Sequence, residues 1–136
     1  MSNNTLTTQD KTTLRTAAYG AVALLAAADA AGSPHKTATT GSLTLASATG
    51  LVGHVLAEKA GSITIEGKTV AAMADHVLPA LTESMRLLKA KDAGEAENYR
   101  ATVLRAVEAG ILAGKGDPSP ALVDITGKIT QALDAT

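Results

Sequence analysis

Apolar residues recur at every third or fourth position along much of the chain, which is the spacing that one face of an α-helix requires. The recurrence is strongest over residues 70–88 and again over residues 122–133. The apolar positions are Val70, Ala74, Val77, Leu81, Met85 and Leu88 in the first stretch and Leu122, Ile125, Ile129 and Leu133 in the second. The pattern therefore predicts an all-α protein.

Capping residues indicate where the first two helices begin and end. The first is expected to start after Thr7 or the threonine that follows it, with Asp10 in its first turn, where the helix dipole favours a carboxylate. Gly32 is suited to its C-terminal end. Ser followed by Pro at residues 33–34 is a preferred start for the second helix, which is expected to continue to about residues 59–61.

The rest of the chain is expected to form three more helices. The third covers residues 68–91 and contains Pro79, which lacks a backbone N–H and should kink the helix. The fourth begins near Asp92, with Glu95 three residues later as an acidic capping box. The fifth carries the C-terminal apolar stripe. Residues 62–69 are too short for an independent sheet and are expected to form an extended connector or a small hairpin.

The apolar side chains are small, and this limits how the helices can pack. The chain has no Phe or Trp, and Tyr19 and Tyr99 are its two aromatic residues. A core of Ala, Val and Leu excludes water only if its helices approach closely. The first helix is apolar nearly all round over residues 16–28, which is too short for a membrane span, so it is expected to lie inside the bundle.

Charged residues are distributed unevenly along the chain. Residues 1–60 carry four basic and three acidic side chains, whereas residues 61–136 carry eight and ten. The first two helices are therefore expected to be central, or to be covered by another copy of the chain. The predicted architecture is a polar tail at residues 1–8 and a single-domain bundle of about five helices at residues 9–134.

The overall composition excludes several classes of function. The net charge is −1 and the pI about 6.3, which gives no basic surface for nucleic acid. The chain has no Cys, so disulfides and thiolate sites are excluded. Its first residues lack the features of a signal peptide, and a cytoplasmic location is expected. Residues 37–57 are uncharged but rich in Ser and Thr, so no membrane insertion is expected.

Three motifs resemble sites of chemistry only in part. The sequence EGKT at residues 66–69 lacks the first Gly and the preceding strand of a phosphate-binding loop. The sequence TGSLT at residues 40–44 lacks the second Gly of a nucleophile elbow. His54 and Glu58 share a helix face, and His76 could join them if the helices were antiparallel neighbours, but two assured ligands do not define a metal site. We therefore predict no catalytic residue, metal or cofactor, and an enzymatic role is left open.

The predicted second helix has three distinct faces. One is an apolar stripe of Ala38, Gly41, Leu45, Ala48, Val52 and Val55. Another face, which is expected to let another helix approach closely, consists of Leu43 and the small residues Ala46, Gly50, Gly53 and Ala57. The third carries hydroxyl groups, at Thr37, Thr40, Thr44 and Ser47, followed by Leu51, His54 and Glu58. Solvent-exposed helix faces normally use long charged side chains. This hydroxyl face is therefore expected to line a subunit interface or a shallow pocket, although an ordinary exposed face would fit equally well.

Two functions are consistent with these features. The first is a small, soluble, non-enzymatic interaction or scaffold protein that forms a homo-oligomer through its first two helices. The second is a small-molecule or metal-binding bundle, with or without enzymatic activity, that uses a pocket near His54 with Glu58, His76 and Tyr19. The sequence does not indicate the ligand of such a pocket. The interaction protein is favoured because packing explains each candidate residue at least as well as ligand binding does.

Overall fold

The computed structural model describes residues 6–29, 34–58, 68–114 and 118–136. Their regular secondary structure is all α-helical, as the pattern predicts, but they form six helices where about five are expected. The helices are α1 (Thr8–Ala28), α2 (Pro34–Ala46), α3 (Gly50–Ala57), α4 (Val70–Lys91), α5 (Ala93–Ala113) and α6 (Pro120–Leu133). The small hairpin proposed around Gly67 lies largely outside the described residues.

The N-terminus of α1 has the capping residues that the sequence predicts. Thr7 is the N-cap: its hydroxyl accepts a hydrogen bond from Asp10 N, and the Asp10 carboxylate accepts one from Thr7 N, each at 3.0 Å. Leu6, within the predicted polar tail, is buried in the core. At its other end α1 finishes at Ala28 with Asp29 as C-cap, which is earlier than the expected end at Gly32.

Helix α4 continues through Pro79 without interruption, in contrast to the kink that the sequence predicts. Pro79 lies on the exposed side of the helix, and so does Asp75 one turn earlier. Water can therefore bind the Asp75 carbonyl, which proline leaves without a donor. At the end of α4, Asp92 serves as the C-cap and also as the N-cap of α5, where its carboxylate accepts bonds from Gly94 N and Glu95 N.

Helices α1 and α5 form the centre of the bundle, because each of them contacts every other helix among the described residues. The prediction that the first helix is central is confirmed. The second predicted helix is not central, since α2 contacts only α1, α3 and α5 in the part of the chain that the structure describes. The apolar stripe of α6 is fully buried as predicted, and so is the second half of the α4 stripe, from Val77 to Leu88. None of the described helices is long and apolar enough to cross a lipid bilayer.

The predicted second helix is divided because its glycines allow a sharp turn. Gly50 has a φ of +75°, a left-handed conformation that interrupts an α-helix and that other residues adopt only with strain. At Gly53 an added Cβ would lie 2.1 Å from the Ala48 carbonyl oxygen, so only glycine fits there. The helix is continuous at residues 39–42 and ends at Ala46.

Tyr99 is the largest fully buried side chain of the core. Its hydroxyl donates a hydrogen bond to the Leu14 carbonyl oxygen at 2.9 Å, which ties α5 to α1. Burial raises the pKa of Tyr99 far above its ordinary value of 10.0, although a hydrogen bond with Ser84 opposes the shift. The phenol therefore stays protonated in the folded protein at pH values where it would ionise in the unfolded chain.

We expect this difference to weaken the fold at alkaline pH. Below pH 10 both states keep the Tyr99 proton, so the group does not make stability depend on pH. Above pH 10 only the unfolded state releases it, and the free energy of unfolding should fall by about 1.4 kcal/mol per pH unit from this group alone. Urea unfolding at a series of pH values measures the slope. The Tyr99→Phe variant should lack this part of the decline, and equal slopes in both proteins would contradict the prediction.

Candidate functional site

Thr37 lies in the core and not on a contact face. Its side chain is buried, and its hydroxyl donates to Asp29 Oδ2 at 3.0 Å and to the Gly110 carbonyl oxygen at 3.3 Å. These bonds join the start of α2 to the end of α1 and to α5. The predicted placement of Thr37 on an outward hydroxyl face is therefore wrong, because α2 is rotated so that Thr37, Gly41 and Leu45 point inward.

The other hydroxyl groups of the predicted face lie along one edge of α2. Thr40 and Thr44 are half-buried, and Ser47 is exposed. The Thr44 hydroxyl donates to the Thr40 carbonyl oxygen, and the Ser47 hydroxyl donates to the Thr44 carbonyl oxygen, each at 2.9 Å. Two of the hydroxyl protons are thus used within the helix. The Thr44 and Ser47 hydroxyl oxygens can therefore accept hydrogen bonds from a ligand or a partner, but their protons are already engaged.

The side of α2 that points away from the bundle consists of Thr39, Leu43 and Ala46, which we call the outer face of α2. All three residues are exposed, and Leu43 is 67% exposed. The sequence places Leu43 and Ala46 on a small-residue face against another helix. In the structure no helix among the described residues covers them. Within α2 itself Lys36 is the one residue with a charged side chain, because residues 37–57 carry no Lys, Arg, Asp or Glu.

A cluster of ionic side chains joins α1 to the end of α3. Glu58 Oε2 lies 3.0 Å from Arg15 Nη1, and Glu58 Oε1 lies 3.6 Å from His54 Nε2 and 3.9 Å from Lys11 Nζ. The Arg15 side chain is only 6% exposed, so it requires a carboxylate partner. His54 and Glu58, which the sequence places on one helix face, are thus paired, whereas Arg15 is not among the residues predicted for this site. An arginine among the apolar residues of a central helix is the signal that could have revealed it.

Tyr19 belongs to the same end of the molecule. Its hydroxyl donates to the Leu56 carbonyl oxygen at 2.8 Å, and its partial burial raises its pKa above the ordinary value. The bond satisfies one of the carbonyl groups in the last turn of α3. Tyr19 therefore acts with Arg15 to hold α3 against α1, and its hydroxyl proton is already engaged.

His76 is not brought to this cluster. It is exposed on α4, which makes no contact with α3 in the described part of the chain. No group of three His, Asp or Glu residues is arranged there to hold a metal ion. Of the residues predicted for a pocket near His54, the structure brings together Tyr19, His54 and Glu58 among the described residues. Tyr19 and Glu58 hold the end of α3 against α1, whereas His54 pairs locally with Glu58.

The N-terminus of α3 is capped by a neighbouring helix. Thr49 is its N-cap residue but makes no side-chain capping bond; Glu95 of α5 accepts a hydrogen bond from Val52 N at 2.9 Å instead. Asn98, also on α5, donates to the Thr49 carbonyl oxygen at 2.9 Å. The sequence predicts that Glu95 caps its own helix, and this is wrong because the carboxylate lies against the positive end of α3.

Described residues line two open grooves elsewhere on the surface, and His54 lines neither of these. The larger, of about 430 Å³, is lined mainly by alanines of α1, α4 and α6. The other, of about 350 Å³, lies between α5 and α6, and we call it the α5–α6 groove. Its lining is Leu104, Val107, Glu108, Ile111, Leu112 and Thr126. Its Leu112 is 74% exposed, and Val123, one turn before Thr126, is 58% exposed.

The seam between α5 and α6 is closed at the opposite end by an ion pair. Arg100 Nε and Nη2 donate to Asp134 Oδ1 and Oδ2 at 2.6 and 3.2 Å. The hydrogen bond and charge of Arg100 lower the pKa of Asp134, and the same contacts raise the pKa of Arg100. The two helices are therefore held together beside the chain terminus and are separated by the groove at the Leu112 end.

No protein-family model, curated protein or solved structure matches this chain. The fold and its surfaces define a six-helix bundle, over the described residues, with an uncharged outer face on α2 and an apolar groove between α5 and α6. Any functional conclusion therefore depends on these two surfaces.

Proposed function

We propose that the protein is a helical interaction module that self-associates through the outer face of α2. The observation that carries this proposal is the exposure of Leu43, at 67%, in the middle of a helix face without charge. Helices that face water in this chain carry charges on their outer sides, as α6 does with Asp124 and Lys128. Single exposed apolar residues are common, but a contiguous exposed patch without charge marks an interaction surface, and Thr39, Leu43 and Ala46 form such a patch.

The first helix contributes little to such a surface. Most of α1 is buried by its own chain, since it contacts every other helix in the described part of the molecule. Its exposed positions lie near its start and at Ala27. Of the two helices that the sequence proposes for self-association, α2 is therefore the one we assign.

The energetics favour association of modest strength. Complete burial of a Leu side chain is worth about 1.5–3 kcal/mol. The neighbouring Thr39 and Ala46 are small and allow a second chain to approach closely. The net charge of −1 means that two copies repel each other only weakly. Association therefore requires other apolar contacts besides Leu43, and this requirement leads to the further inference below.

Light scattering coupled to gel filtration tests the proposal. The wild-type protein should have a mass that is a multiple of 13.6 kDa, and Leu43→Glu should reduce it to 13.6 kDa. Because Leu43 is exposed, the thermal unfolding midpoint of the dissociated chain should change little. The matched control is Thr12→Glu, which adds the same charge at an exposed position of α1. A monomeric wild type, or a Leu43→Glu variant that keeps the wild-type mass, would refute the proposal.

A further inference from the structure

We propose that the outer face of α2 docks into the α5–α6 groove of a second copy of the chain, so that the copies associate head to tail. This inference rests on the self-association proposed above and names the surface that receives α2.

The distribution of exposed apolar side chains supports this pairing. Three large hydrophobic residues are exposed in the described part of the chain: Leu43, Leu112 and Val123. Leu43 is the centre of the outer face of α2. Leu112 lines the α5–α6 groove, and Val123 lies one turn from the groove residue Thr126. Docking of one surface into the other brings all three into a single contact, and a volume of about 350 Å³ admits the Leu43 side chain.

The charges at the two surfaces are complementary. Glu108 is exposed at the groove and forms no ion pair among the described residues. Lys36, likewise exposed, lies about 10 Å before Leu43 along α2, and Glu108 lies about 6 Å before Leu112 along α5. If α2 lies parallel to α5 of the second copy with Leu43 against Leu112, the two charged residues are offset by only about 4 Å along the helix axes, and a flexible Lys36 side chain can reach Glu108.

A symmetric contact between two α2 helices lacks this complementarity. Because residues 37–57 carry no acidic side chain, no carboxylate of that stretch would face Lys36 across a two-fold axis. The two surfaces also lie on opposite flanks of α5. Gly41 of α2 packs beside the Ala106 carbonyl on one flank, and Leu104 and Ile111 line the groove on the other. Contacts between unlike surfaces continue from copy to copy and form a ring or an open chain.

A mixing experiment distinguishes the two modes of association. Leu43→Glu and Leu112→Glu are the same substitution at two exposed leucines, so neither should disturb the fold, and circular dichroism checks this. Each variant alone should be a monomer of 13.6 kDa. An equimolar mixture should form a dimer of one chain of each, because one chain keeps an intact α2 face and the other keeps an intact groove.

The other outcomes are equally informative. If Leu112→Glu keeps the wild-type mass while Leu43→Glu does not, self-association through α2 stands and the head-to-tail inference fails. If both variants are monomers and the mixture stays monomeric, the pairing of these two surfaces is overturned. If Leu43→Glu keeps the wild-type mass, or if the wild type is itself monomeric and the surfaces take a different partner, the proposed function fails as well.

Charge reversal provides an independent check. Lys36→Glu and Glu108→Lys should each raise the dissociation constant about threefold, as expected for an exposed ion pair. The double variant should return it to near the wild-type value, because the exchanged charges meet between copies. Absence of this recovery would count against the proposed register.

Discussion

Replacement of Tyr99 by alanine is expected to lower the free energy of unfolding by about 3–5 kcal/mol, the largest effect that we predict. Tyr99 is 0% exposed and belongs to the central helix α5. Removal of its ring would leave a large cavity in the core. The core has no Phe or Trp, and the surrounding Ala, Val and Leu side chains are too small to fill the space. Because a domain of this size is stable by only about 5–15 kcal/mol, the midpoint of thermal unfolding should fall sharply.

Urea unfolding of two variants separates the ring from its hydroxyl group. Tyr99→Phe keeps the ring and removes the bond to the Leu14 carbonyl oxygen, and it should cost about 1–2 kcal/mol. Tyr99→Ala removes both. If the two variants lose the same stability, then the ring does not support the core as we describe.

A methyl group added at Gly41 is expected to destabilise the protein by about 1–3 kcal/mol. The Cβ of Gly41→Ala would lie 2.8 and 3.1 Å from the two γ-carbons of Val22, and 3.4 Å from the Ala106 carbonyl oxygen. A Val side chain has few rotamers and cannot move aside easily. The helix α2 would therefore have to shift away from α1 and α5, although alanine is normally the better residue in a helix.

Gly127→Ala is the matched control, since it places the same methyl group on α6 with no heavy atom within 4 Å. It should stabilise the protein by up to about 1 kcal/mol through helix propensity alone. Measured by urea unfolding, the two substitutions should thus have opposite signs. Gly41→Ala should also cost less in a Val22→Ala background, and an equal cost in both backgrounds would show that the contact with Val22 is not responsible.

The sequence alone determined the structural features that depend only on residues close to one another along the chain. Helix periodicity identified the buried stripe of α6, and capping chemistry located the starts of α1 at Thr7 and of α5 at Asp92. The spacing of His54 and Glu58 likewise predicted their pair. These features are local, because a helix brings residues three and four positions apart onto one face and a cap acts within one turn.

Only the tertiary structure decided the features that join distant parts of the chain. Glu95 caps α3 from another helix, Glu58 neutralises an arginine 43 residues earlier, and Thr37 points into the core. The rotation of α2 that buries Thr37 also exposes Leu43. A helical wheel defines which residues share a face, but it does not show which face the rest of the protein covers. Which face is covered depends on how closely α2 approaches α1 and α5. Glycines such as Gly41 permit a close approach, and packing among residues that are distant in the sequence determines it.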